Sequence, residues 1–280
     1  MASRLQRKQE ARERRLAADR TAAAKRTRTR RVQTLARVGV PAIVVIAVAI
    51  AISAGSTGRS GLATGAAAKR IYAQVNSLLT GIPERGTQLG NPDARITLTF
   101  FGDLQCPICA AFASGGELDG VVGGLPQFVR DQVRTGRAKI VYRSFCTATC
   151  SDFSDGQSLF DEQQTAAYAA GVQSRFWYYE ELFYRQQGRE GTLYVTPGFL
   201  DQLAGQVHGL NLKSWVSDRR DRALLSQVQG DGRAAVRQLP LVDGARGTPG
   251  LIMSGPAGTQ FVGEGLVAYG QLEAAAKAVS

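Results

Sequence analysis

Residues Ile96-Thr97-Leu98-Thr99-Phe100-Phe101 alternate apolar and polar side chains at period two, the pattern of a strand with one face in a core. A second strand is predicted at Lys139-Ile140-Val141-Tyr142-Arg143, and two more at Leu251-Ile252-Met253 and Gln260-Phe261-Val262, joined by the turn Ser254-Gly255-Pro256-Ala257-Gly258. Helical spacing occupies the rest. Ile71, Val75, Leu78 and Leu79 fall on one side of a helix over 67–79, and turn residues follow at 81–86. Further helices are predicted near 126–135, over 161–187, from the N-cap pair Thr196-Pro197, within 212–236 and over 269–279. The aromatic run Phe176-Trp177-Tyr178-Tyr179 with Phe183 reads as helix core or groove lining, not a cofactor box. Strand, helix, strand, a run of helices and two closing strands predict one α/β domain over 82–280, with a helical insertion at about 151–240.

One apolar run fits neither period. Val38 to Ala54 carries no charge, and at 1.5 Å per residue its 17 residues span roughly 26 Å as a helix, near the minimum for a bilayer. A membrane signal-anchor is therefore expected at 38–55. Thirteen of the 34 basic residues precede it, within 1–37, against three acids, Glu10, Glu13 and Asp19. Positive charge stays inside, so 1–37 is expected as a cytoplasmic tail and everything after the anchor as extracytoplasmic. Cleavage after the small residues Ser53-Ala54-Gly55, which releases a secreted protein, is the alternative. Residues 56–81 read as a flexible tether and a short helix.

Charge then changes the picture again. The tail alone carries +10 of the net +11, which leaves 21 basic and 20 acidic residues from position 38 onward. The folded domain is thus nearly neutral, and no nucleic-acid partner is expected.

The chemistry lies in the four cysteines, all beyond the apolar run and so expected in an oxidising compartment. Cys106-Pro107-Ile108-Cys109 follows the first predicted strand directly. A cysteine in a first helical turn meets unpaired N–H groups and the positive end of the macrodipole, both of which stabilise a thiolate. Cys106 is the expected nucleophile and Cys109, one turn on, the resolving thiol. Pro107 suits that turn, where its missing N–H costs no bond. A C-x-x-C also fits half a zinc site or a structural disulfide. The single histidine, His208, is distant in sequence, so no metal is expected, and a four-cysteine site with Cys146 and Cys150 is the one zinc arrangement left.

Phe101-Gly102-Asp103-Leu104-Gln105-Cys106-Pro107-Ile108-Cys109 and Gly247-Thr248-Pro249 together resemble the DsbA-like branch of the thioredoxin superfamily, in its membrane-anchored bacterial form. The resemblance covers about 82–280. It implies a thioredoxin-like fold with an inserted helical domain, preceded by a single transmembrane helix. It implies a thiol:disulfide oxidoreductase that forms disulfides in exported proteins, with no cofactor beyond the Cys106–Cys109 disulfide. It also implies a cis-proline at Pro249, with Thr248 and Pro249 receiving substrate. Reduced exported proteins are the implied substrates, and a quinone-linked membrane protein of DsbB or vitamin K epoxide reductase-like type the implied reoxidant. Many relatives carry histidine inside the C-x-x-C, whereas Ile108 offers no cation or donor, and Gly250 after the proline is a second departure. Asp103 is read as a proton acceptor for the resolving thiol, against a solvated loop aspartate or a helix cap. Cys146 and Cys150 are expected to form a structural disulfide, with a thiol relay to the Cys106 pair as the alternative. A reductase or isomerase of the same fold, or a non-catalytic binding protein with structural disulfides, are the competing functions.

Overall fold

The computed structural model describes residues 61–115 and 123–280. The basic tail at 1–37 and the membrane segment at 38–55 lie outside the described residues. No helix among the described residues is long and apolar enough to cross a membrane.

The described chain opens with α1 (Gly65–Leu79), then two short strands, β1 (Glu84–Arg85) and β2 (Gln88–Leu89), and β3 (Ile96–Gly102). Next come α2 (Pro107–Ser114), α3 (Gly124–Phe128), which runs on into a π-helical turn at Val129–Val133, and β4 (Ala138–Ser144). Six helices follow before the sheet resumes: α4 (Ala148–Asp152), α5 (Gly156–Val172), α6 (Phe176–Tyr184), α7 (Pro197–Gly205), α8 (Leu212–Asp218) and α9 (Arg222–Gln238). The hairpin β5 (Gly250–Gly255) and β6 (Gly258–Glu264) and the helix α10 (Tyr269–Ala278) complete it.

The six strands are ordered β1-β2-β4-β3-β5-β6. β3 and β4 are parallel and every other neighbouring pair is antiparallel, so the sheet is mixed. Alternation along β3 sends Leu98 and Phe100 into the main core, while Phe101 joins a smaller cluster with Ile252, the α9 residues Ala234 and Ala235, and Leu239 at the end of that helix. Helices therefore cover both faces of the central strands, and the C-terminal end of β3 emerges between two packed layers.

Three sequence expectations are corrected. The helix expected over 161–187 is two helices, because Ser174 takes a left-handed conformation (φ 55°) and Arg175 N–H donates to the Ala170 carbonyl, turning the chain between α5 and α6. That turn lets both helices bury aromatic faces, with Phe176, Trp177, Tyr179 and Phe183 all fully buried. The helix expected over 67–79 begins earlier, and the chain just before it is packed. Ala63 is buried with its N–H on Gln186 Oε1 at 3.0 Å, and α1 starts at Gly65. The turn-rich stretch after α1 supplies β1 and β2, held to the helical layer by Trp177, whose N–H donates to Glu84 Oε1 at 2.8 Å and whose indole donates to the Thr87 carbonyl at 3.1 Å.

That last contact carries a prediction. Burial pushes the Glu84 carboxyl up to about 7 from an ordinary 4.5, with the Trp177 N–H the largest opposing influence. Between those values the folded chain holds a proton that the unfolded chain has lost. This contribution to stability is complete below about 4.5 and is lost as pH rises through about 7. Glu84→Gln keeps an acceptor for Trp177 but cannot ionise, so its thermal midpoint is expected to fall less than that of the parent over the same pH range. Glu181, also pushed up to about 7 by burial, leaves a residual slope of the same sign. Equal slopes in parent and variant are the contrary result.

Candidate active site

The C-terminal end of β3 delivers the chain to the site. Gly102 is glycine because a Cβ there meets the Tyr142 ring at 2.6 Å. Asp103 then turns the chain, with Cys106 N–H donating to its carbonyl at 3.1 Å and Gln105 N–H to its Oδ1 at 3.0 Å. Cys106 is the N-cap of α2 and Pro107 opens the first turn. Instead of an oxygen, the Cys106 sulfur accepts the Cys109 N–H, at 3.4 Å.

The two sulfurs are free thiols in different environments. Cys106 retains 6% of its exposure and Cys109 none. The Cys106 thiol lies below its ordinary range, chiefly because the Cys109 thiol donates to its sulfur. The Thr248 hydroxyl and the Cys109 N–H add to this, while burial and the Asp103 charge oppose it. Cys109 is pushed the other way, well above its ordinary range, by burial first and then by its bond to Cys106 and the Cys106 charge. Of the pair, the outer sulfur is therefore the more readily ionised and the inner one holds its proton the more strongly.

The opposite wall is the segment leading into β5. The Thr248–Pro249 peptide is cis, and the Thr248 carbonyl accepts from Cys106 Sγ at 3.4 Å across 142 residues of chain. Gly250 has its explanation in packing, since a Cβ there meets Leu239 Cδ1 at 2.7 Å.

Asp103 is neither solvated nor the cap of α2. Its carboxylate is fully buried and accepts four hydrogen bonds, from Gln105 N–H, Thr147 N–H and Thr149 N–H at 3.0 Å each and from the Thr149 hydroxyl at 2.7 Å. Burial raises its pKa and these bonds oppose the rise. Cys146 and Cys150 are joined in a disulfide, with Cα atoms 5.7 Å apart. With both sulfurs spent in that bond, neither supplies a thiolate to a zinc site.

Sequence reasoning missed the groups contributed by the helices between β4 and β5. Gln187 Nε2 donates to the carbonyls of Leu104 and Cys106, at 2.7 and 3.1 Å, and the Tyr184 hydroxyl donates to the Asp103 carbonyl at 3.3 Å. Deeper in the core, Glu180 is fully buried with neither carboxyl oxygen bonded, and burial drives its pKa well above the ordinary carboxylate value. Nothing in the local pattern marks these residues, because each lies on a helix read as ordinary core. His208 does not approach the thiols; its ring stacks on Tyr72 at 3.7 Å.

A family model described as thioredoxin matches residues 84–255. The chain is 26% identical over 160 residues to the disulfide bond formation protein D of Bacillus subtilis (strain 168), a match spanning 56% of this chain and 66% of that protein, slightly under two thirds of its length. Among solved structures, oxidised BdbD from Bacillus subtilis superimposes with a TM-score of 0.54 at 18% identity, covering 69% of this chain and 91% of that one. A thioredoxin-like oxidoreductase from Silicibacter pomeroyi DSS-3 gives 0.50 at 20% identity, covering 72% and 95%. At such identities these two likenesses speak to the fold.

Proposed function

Given that this chain belongs to the thioredoxin family, we propose that it is a DsbA-like thiol:disulfide oxidoreductase that forms disulfides in exported proteins through Cys106 and Cys109. The observation that carries this reading is the asymmetry of the two sulfurs: an outer thiol with a lowered pKa at a helix N-terminus, and an inner one raised by burial. In the oxidised enzyme a substrate thiolate attacks Cys106 Sγ. A substrate–Cys106 disulfide forms, the Cys106–Cys109 bond breaks, and Cys109 leaves and takes up a proton, as its high pKa favours. A second substrate thiolate then attacks the substrate sulfur of the mixed disulfide. The substrate leaves oxidised and Cys106 departs as a thiolate, a good leaving group because its pKa is low.

Thr248 and Pro249 are the proposed substrate contacts, since they face Cys106 across the site. Asp103 is the proposed proton acceptor for Cys109 during resolution, a reading supported by its burial beside the thiols and by its charge acting on Cys106. Two electrons must then leave the dithiol. A quinone-linked membrane reoxidase of DsbB or vitamin K epoxide reductase-like type fits that need, with the domain held outside the cell by an anchor at 38–55.

A second reading, reductase or isomerase, draws on two features: Ile108 offers no donor to Cys106, and the Asp103 charge opposes its ionisation. The reduction potential separates the reductase from an oxidase or isomerase. Equilibrating the full-length protein in glutathione buffers and tagging free thiols is expected to give about −180 mV or higher for the Cys106–Cys109 pair. A value near about −270 mV favours the reductase instead, and a pair that never exchanges refutes both.

A further inference from the structure

We infer that the loop closed by the Cys146–Cys150 disulfide is a positioning element for the Cys106–Cys109 pair, holding Asp103 and Thr248 in their working arrangement. The inference rests on the reading of Cys106 as the reacting thiol. It assigns the second disulfide a role that is neither a staple remote from the chemistry nor a relay of electrons.

Three of the four hydrogen bonds to the buried Asp103 carboxylate come from inside this five-residue loop: Thr147 N–H, Thr149 N–H and the Thr149 hydroxyl. The first two converge on one oxygen, Oδ2, at 3.0 Å. Two N–H groups two residues apart point at one atom only when the backbone between them is curled, a concavity suited to an anion. Closing the disulfide across that segment removes the extended states in which the two N–H groups diverge. A second connection runs from the same loop to the far wall, where the Thr147 and Thr248 hydroxyls are 2.5 Å apart and the Thr248 carbonyl accepts from Cys106. Gln163 Nε2 fixes the Thr149 hydroxyl from α5 at 3.0 Å.

The chemical consequence follows from the charge on Asp103. A buried carboxylate deprived of its donors takes up a proton, and the negative charge facing Cys106 goes with it. The other titratable groups around Asp103 are Cys106 and Cys109 of α2, Tyr184 of α6, and Glu190 and Tyr194 between α6 and α7. None is a cation, so no fixed positive charge replaces the loop donors. Loosening the loop therefore makes Cys106 ionise at lower pH.

The test is the pH profile of Cys106 alkylation by iodoacetamide in full-length protein, read by peptide mass spectrometry after one equivalent of dithiothreitol, with the state of Cys146–Cys150 scored on the same map. Thr149→Val and the double variant Cys146→Ala/Cys150→Ala are expected to move the midpoint down by about half a pH unit, or about threefold faster alkylation on the acid limb. Thr149→Ser restores the parent profile. An unchanged or upward-shifted midpoint in Thr149→Val, with thermal unfolding intact, overturns the inference, and so does failure of the serine variant to restore it. Alkylation needs no substrate protein. A chain that shows the expected shifts but oxidises no reduced protein refutes the proposed function and leaves the positioning role standing.

Discussion

Cys106→Ser is expected to reduce disulfide transfer to a reduced test protein to the uncatalysed rate, while Cys109→Ser accumulates a covalent adduct with a disulfide-bearing protein. The first loss is total because an alkoxide neither forms near neutral pH nor leaves a sulfur, and Cys106 is the only sulfur of the pair with residual exposure. Its neighbour cannot substitute, being fully buried with its pKa raised well above the ordinary range. Cys109→Ser has the opposite signature. Cys106 keeps the helix N-terminus and the Thr248 contact, so it still attacks, but no second thiol stands one turn away to release the product. Non-reducing gels followed by peptide mapping read both outcomes. Residual transfer by Cys106→Ser, or no adduct with Cys109→Ser, returns both cysteines to a structural role.

Trp177→Ala is expected to destabilise the domain by about 3 to 5 kcal/mol, a large part of the whole margin of a folded domain. The indole is fully buried, packs edge-on to Phe176 at 5.7 Å between ring centroids, and donates to the Thr87 carbonyl. Truncation leaves a cavity in the main core and an acceptor without its donor, so two costs add. Trp177→Phe separates them. It keeps most of the ring volume and loses the bond, and is expected to cost about 1 to 3 kcal/mol. Urea unfolding of the two variants checks the order; a phenylalanine variant as unstable as the alanine one contradicts it. The backbone contact from Trp177 to Glu84 survives in both, so both retain the pH slope that Glu84 produces.

The strands were legible wherever period-two alternation met a core on one face, as in Ile96 to Phe101, and the hairpin wherever Gly and Pro punctuated it at 255–258. The break at Ser174 was not. No proline separates α5 from α6, and the residue that turns the chain is an ordinary serine held in a left-handed conformation by the packing on either side. β1 and β2 escaped notice for a related reason. Two-residue strands have no period, and their pairing depends on β4 and on Trp177, both far along the chain.

By itself the sequence determined the local chemistry. A cysteine three residues before its partner, followed by proline and preceded by a strand, specifies a helix N-terminus with a thiol on it, because capping and the macrodipole act within one turn. Tertiary structure alone decided what surrounds that thiol. The bonds that bury Asp103, link Thr147 to Thr248 and tie Gln187 to Leu104 join residues 44, 101 and 83 positions apart. Their partners are unremarkable threonines and glutamines whose importance lies in where the fold puts them. The hydrogen bond between the two thiols and the burial around them, which together set the pKa values of Cys106 and Cys109 apart, are likewise properties of the packed environment.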